Sequence, residues 1–158
     1  MIPNVVATRG EHKIYNPTRI AIVWTPDANN PNVRTFTGNV DPAGDTYYLP
    51  YDNDHISSMR LPDPPPLGVD FFLTANMSGC KFYIDTINGS ADLMVYHANA
   101  RGTAPAPPNS AADFQDPLAA AELDRLHNAA QADYTAAPHN LVLANAASLD
   151  KPTYYGGG

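Results

Sequence analysis

Apolar and polar positions alternate in short blocks along most of this chain, and the pattern takes on a helical period only once. Residues 18–25, TRIAIVWT, are β-branched and apolar enough to predict a central strand with Trp24 in the core, ended by Pro26 and the polar cluster at 27–31. Residues 33–40 alternate as an outer strand would, and residues 46–51 form a tyrosine-rich one. A strand over 56–61 is stopped by Pro62-Asp63-Pro64-Pro65-Pro66, a stiff extended segment. The apolar run at 71–74 ends in Thr74. Residues 81–87 and 93–96 flank Asn88-Gly89-Ser90, whose Asn and Gly accept the positive φ of a hairpin turn. Residues 139–145, HNLVLAN, predict the last strand.

The helical stretch follows Asp116, a capping carboxylate, and Pro117, suited to the first helical position. From there Ala119, Leu123, Leu126, Ala130 and Tyr134 recur at spacings of three and four and define one buried face. His127, beside that face, reads as a packing or surface histidine. Residues 1–17 and 146–158 read as irregular, and 101–116 as an exposed loop. The sum is an α+β fold: about seven short strands in a mixed or antiparallel, sandwich-like core with one principal helix, in one domain over 1–158.

Composition supports this reading. Sixteen prolines and ten glycines in 158 residues favour short strands and loops over a helical bundle. A net charge of -7 argues against binding nucleic acid or an acidic membrane, which require basic patches. A single cysteine excludes an internal disulfide, and no set of Cys and His suggests structural zinc. Asp52-Asn53-Asp54-His55 opens like a calcium loop but lacks its glycine and distal glutamate, so it reads as a solvated turn and no metal is expected. No apolar run is long enough to span a membrane, and the N-terminus lacks the layout of a cleaved secretory signal. Cytosolic residence, or export by a route without such a signal, is the expectation.

The candidate chemistry lies in residues 71–99. Cys80 follows Gly79 at the start of one predicted strand, and His97 ends its antiparallel neighbour, so the hairpin brings them to one edge about 4.8 Å apart, one strand spacing. A thiol is a weak nucleophile until it is a thiolate, and a neighbouring imidazolium is one of the few groups that stabilise a thiolate at neutral pH. Gly79 permits a tight turn that aims backbone N–H groups at a developing oxyanion, and the Thr74 hydroxyl is within reach of His97 or a substrate. His139, at a predicted strand end, is the alternative base. On these residues alone two readings stand: a nucleophilic Cys80, or a Cys80 that is a small buried hydrophobe.

The segment FFLTANMSGCKFYI, with VYHAN following, resembles the glutamine-deamidase toxins typified by Burkholderia lethal factor and the catalytic domain of cytotoxic necrotizing factor. Met77-Ser78-Gly79-Cys80 stands where these carry Leu-Ser-Gly-Cys, and Phe71, Phe72 and Thr74 match the lethal factor. The chemoreceptor deamidase CheD is more distantly similar. The resemblance covers about thirty residues, and the interval from Cys80 to His97 is longer here than in the lethal factor. It implies Cys80 as nucleophile, His97 as general base and acid, Thr74 as supporting hydroxyl, and Met77, Ser78 and Gly79 as the motif around the oxyanion. It further implies a cofactor-free, monomeric bacterial toxin or effector, made in the bacterial cytoplasm and then secreted or injected. Its partner would be a target protein with a reactive glutamine, a translation factor or GTPase by analogy. A cysteine hydrolase cutting peptide bonds and a non-catalytic binding module of the same fold are the alternatives.

Overall fold

The computed structural model describes residues 5–30, 32–74, 79–100 and 117–150. In chain order these form β1 (Val5–Arg9), β2 (His12–Tyr15), β3 (Arg19–Pro26), β4 (Arg34–Val40), β5 (Thr46–Leu49), β6 (His55–Leu61), β7 (Phe71–Thr74), β8 (Cys80–Ile87), β9 (Leu93–Asn99), α1 (Pro117–Thr135) and β10 (Leu143–Leu149). The fold is α+β, with two mixed sheets. One has six strands in the order β1-β2-β6-β9-β8-β10, and the other four in the order β4-β3-β5-β7. The β2–β6 and β5–β7 pairs are parallel and the others antiparallel.

Alternation along the central strands of the larger sheet makes it the middle of three layers. On one face Ile56, Tyr83, Met94, Tyr96 and Ala98 meet Leu123, Leu126, Ala130 and Tyr134 of α1, so the face expected of the helix is buried. On the other face Tyr15, Met59, Phe82 and Val95 meet Leu49 and the partly buried Phe72 of the smaller sheet. No described helix is long and apolar enough to cross a membrane.

Polar contacts fix the helix on its sheet. Asp85 is wholly buried and accepts hydrogen bonds from His127 Nε2 (3.0 Å), Gln131 Nε2 (2.8 Å) and Asn145 Nδ2 (3.1 Å). Burial alone would raise its pKa; these donors outweigh it and hold the carboxyl below its ordinary value. Nearer the end of α1, His12 donates from Nδ1 to Asp133 (2.9 Å), while its Nε2 is hydrogen-bonded to Ser58 Oγ (2.7 Å), which also bonds the Tyr134 hydroxyl (2.7 Å).

Several expectations need correction. Residues 1–17 are not irregular throughout: Val5–Arg9 and His12–Tyr15 pair through a turn at Gly10, whose φ is +62°, and His12–Tyr15 then pairs with β6. The described strands number ten rather than about seven. The last strand starts at Leu143, not at 139, and runs through 146–149, part of the supposed irregular tail. Trp24 is 57 % exposed and outside the core. The reason is local: β5 pairs only with Arg19 and Ile20 of β3, so the rest of β3 has β4 alone as neighbour and projects as a ribbon. Asp116, the loop 101–116 before the helix and the tail 151–158 lie outside the described residues.

Candidate active site

Where β5 and β7 end side by side, Leu49 is the register partner of Thr74. The Thr74 hydroxyl donates its one hydrogen to the Leu49 carbonyl oxygen at 2.9 Å. It therefore accepts from His97 Nδ1, 2.6 Å away, and the ring proton is on Nδ1. The basic lone pair of the wholly buried His97 is thus on Nε2, an atom with no hydrogen-bond partner among the described residues. Against one face of the ring stacks Tyr51, with centroids 5.4 Å apart and planes at 16°. Tyr51 precedes Asp52, which forms an ion pair with Lys13 across to β2.

Cys80 opens β8 after Gly79, whose φ of +88° is a conformation that L-residues rarely adopt, so the tight turn expected there is present. The register differs from expectation by one pair. Cys80 lies opposite Asn99 and His97 lies opposite Phe82, because β9 runs two residues past the histidine. Cys80 and His97 are therefore diagonal neighbours on one face, with backbones about 7–8 Å apart rather than one strand spacing. That face looks toward the smaller sheet, from which Thr74 reaches His97. Thr74, Gly79, Cys80 and His97 are thus gathered at one end of the sandwich, while Met77 and Ser78 lie outside the described residues.

Burial sets the charge state of this group. The Cys80 thiol, 1 % exposed, is pushed up to about 11, and the His97 imidazole is pushed down to about 4, in each case by loss of solvent. Between those values both are neutral, so the resting pair is thiol and imidazole, not thiolate and imidazolium.

The alternative base is elsewhere. His139 lies by the start of β9, in a cleft of about 630 Å³ with Asp92, Met94 and Tyr134, and meets Tyr134 edge-on at 5.2 Å. His97 is near the other end of the same strand. The Ser58–His12–Asp133 series has the order of a hydrolase triad, but Ser58 is 0 % exposed beneath α1 and bonded to Tyr134, which makes it a strut between helix and sheet. Around Asp52 the chain forms a turn, as expected, with His55 Nδ1 donating to the Asn53 carbonyl at 2.6 Å and Asp54 at a φ of 58°.

Sequence reasoning missed Tyr51, Lys13 and Asp52. The tyrosine-rich pattern puts Tyr51 inside a strand, yet Pro50 ends β5 at Leu49 and leaves Tyr51 stacked on His97. That proline was the available signal. Lys13 had none, since its partner is 39 residues away. Comparison with protein-family models, curated proteins and solved structures finds no match to this chain.

Proposed function

We propose that this protein is a cysteine-dependent protein-glutamine deamidase, with Cys80 as nucleophile and His97 as base and acid. The observation that carries the reading is the lone pair on His97 Nε2, buried, without a partner among the described residues, and fixed on that nitrogen by Thr74. A structural histidine has no need of such an atom, which costs stability when left unpaired. A base that must take a proton from Cys80 on the same sheet face requires it.

The chemistry follows from those roles. Sulfur attacks the side-chain carbonyl carbon of a target glutamine as its proton passes to Nε2, and backbone N–H groups hold the oxyanion. The imidazolium gives that proton to the amide nitrogen, the C–N bond breaks, ammonia departs, and a thioester is left. Water, deprotonated by Nε2, then releases glutamate and restores the thiol. A primary amine arriving before water would leave a cross-link instead. No cofactor takes part.

The test needs no target: the rate of Cys80 alkylation by iodoacetamide is followed against pH in wild type, His97→Ala and His139→Ala. With a general base in place, wild type and His139→Ala hold a plateau through neutral pH. His97→Ala reacts only as the thiol itself ionises, toward its raised pKa of about 11. Superimposable wild-type and His97→Ala profiles would leave Cys80 a structural thiol. If the pair is active, ammonia release from an intact target separates deamidation from peptide cleavage, which creates new termini.

A further inference from the structure

The β8–β9 ladder runs without a bulge, and in it Cys80 lies directly opposite Asn99. Directly opposed residues of an antiparallel pair point to the same face, with Cβ atoms about 4.5–5.5 Å apart. His97 and Asn99 stand two positions apart on β9, so they share that face as well. Phe82, opposite His97 and two positions beyond Cys80, packs between the sheets and settles which face it is. Cys80, His97 and Asn99 thus meet at the end of β9, and on the far side of the row β6 sets Ser57 opposite His97 and His55 opposite Asn99. Cys80 and His97 are buried, whereas Asn99 is half-buried and keeps contact with solvent. Among the described residues the Asn99 carboxamide forms no hydrogen bond, so both of its N–H donors are uncommitted. Asparagine is depleted in strands, and here its amide ties down no turn and no neighbouring strand.

We propose that Asn99 is a further catalytic residue, whose side-chain amide donates a hydrogen bond to the oxyanion, a role that rests on the Cys80–His97 reading above. As the Cys80 sulfur bonds to the glutamine carbonyl carbon and its proton passes to His97 Nε2, the carbonyl π pair moves onto oxygen. That oxygen sits on the carbon held by Sγ, beside the residue directly across the ladder, and Asn99 Nδ2–H joins the backbone N–H groups in holding it. The pair returns as the C–N bond breaks, and ammonia leaves with the proton from the imidazolium. Attack by water on the thioester, with its proton passing to Nε2, puts the same charge on the same oxygen. When that pair returns, the C–S bond breaks and the thiolate takes the proton back. One amide and one water become a carboxylic acid and ammonia, and nothing is oxidised or reduced. Asn99 exchanges no proton in either half; it stabilises the charge that both create.

Two reagents separate this role from a structural one. Iodoacetamide alkylates sulfur by displacing iodide from a saturated carbon and forms no oxyanion, whereas p-nitrophenyl acetate acylates it through one and releases p-nitrophenolate. Wild type, Asn99→Ala, Asn99→Asp and Cys80→Ser are compared with both. Asn99→Ala keeps the wild-type rate of alkylation and loses about 100-fold in acylation, the scale of removing one oxyanion donor. Asn99→Asp, with the same shape but an acceptor where the donor was, lowers the ratio of acylation to alkylation at least as far. Wild-type acylation in Asn99→Ala overturns the proposal, and so does an equal loss in both reactions, which would mark a residue that merely holds the thiol in place. No acylation of the wild type, or p-nitrophenolate release that survives in Cys80→Ser, overturns the deamidase reading itself and the Asn99 role with it.

Discussion

Thr74→Val removes one hydroxyl and keeps the shape of the side chain. It strips two buried groups of partners at once: the Leu49 carbonyl loses its 2.9 Å donor and His97 Nδ1–H its 2.6 Å acceptor. Leaving a buried polar group unsatisfied costs about 1–3 kcal/mol. If the ring proton moves from Nδ1 to Nε2, the lone pair that the proposed role of His97 requires is lost from Nε2. With about 1.4 kcal/mol for each factor of ten, the expected loss is about 10–100-fold in Cys80 alkylation by iodoacetamide at pH 7. A chain of this length loses about 2–4 °C in Tm for each kcal/mol of stability given up, so calorimetry should show a modest drop. Nitrogen-15 NMR of the histidine ring reports the tautomer directly: Nδ1 protonated in wild type, mixed or reversed in the variant. Wild-type reactivity in Thr74→Val, with the proton still on Nδ1, would refute the assignment of Thr74 as the group that orients the base.

Three further outcomes are expected. The folded His97 pKa of about 4 lies below the ordinary 6.5, so the unfolded chain takes up the proton first. Its contribution, present above pH 6.5, is lost as pH falls through 4 and amounts to about 3 kcal/mol. Urea denaturation across that window should be steeper in pH for wild type than for His97→Gln, and parallel curves would contradict it. Asp85→Ala leaves three donors without an acceptor and should lower stability by about 3 kcal/mol, or a Tm loss of about 6–12 °C by calorimetry; an unchanged Tm would show that the network contributes nothing. Gly79→Ala meets open space but forces an L-residue to a φ of +88°, at a cost of about 1–3 kcal/mol. Cys80 alkylation should slow while the helix-on-sheet core, read by circular dichroism, is retained; a rate equal to wild type would separate the turn from the placement of the thiol.

The parts of this structure that could be read from the sequence are those written in neighbouring residues. The hairpin around Gly89, the buried stripe of α1 and the positive φ at Gly79 all follow from patterns less than twenty residues long. Thr74, Cys80 and His97 were singled out for the same reason, since one hairpin and the strand before it carry them. What escaped depends on distant partners. His12–Tyr15 is a strand of four residues that owes its place to a parallel pairing with β6, more than forty residues on. Ser57 and Ser58 look identical in the sequence, and only the two sheet neighbours and the helix above decide that one faces His97 and the other His12. Trp24 looked like core because its strand is apolar, but its sheet is too narrow there to cover it.

That serine doublet bears on how β6 finds its alignment during folding. A slip of one residue would still present a serine to each face, so hydroxyl chemistry alone would not forbid it. The flanking residues do: Ile56 belongs with the helix and Met59 between the sheets, and the slip would exchange the layers each of them fills. The Ser58 bonds to His12 and Tyr134 would be offered to the wrong hydroxyl at the wrong height along the strand. The strut under α1 thus acts as a gauge for assembly: only the alignment that closes it also sets Ser57 opposite His97.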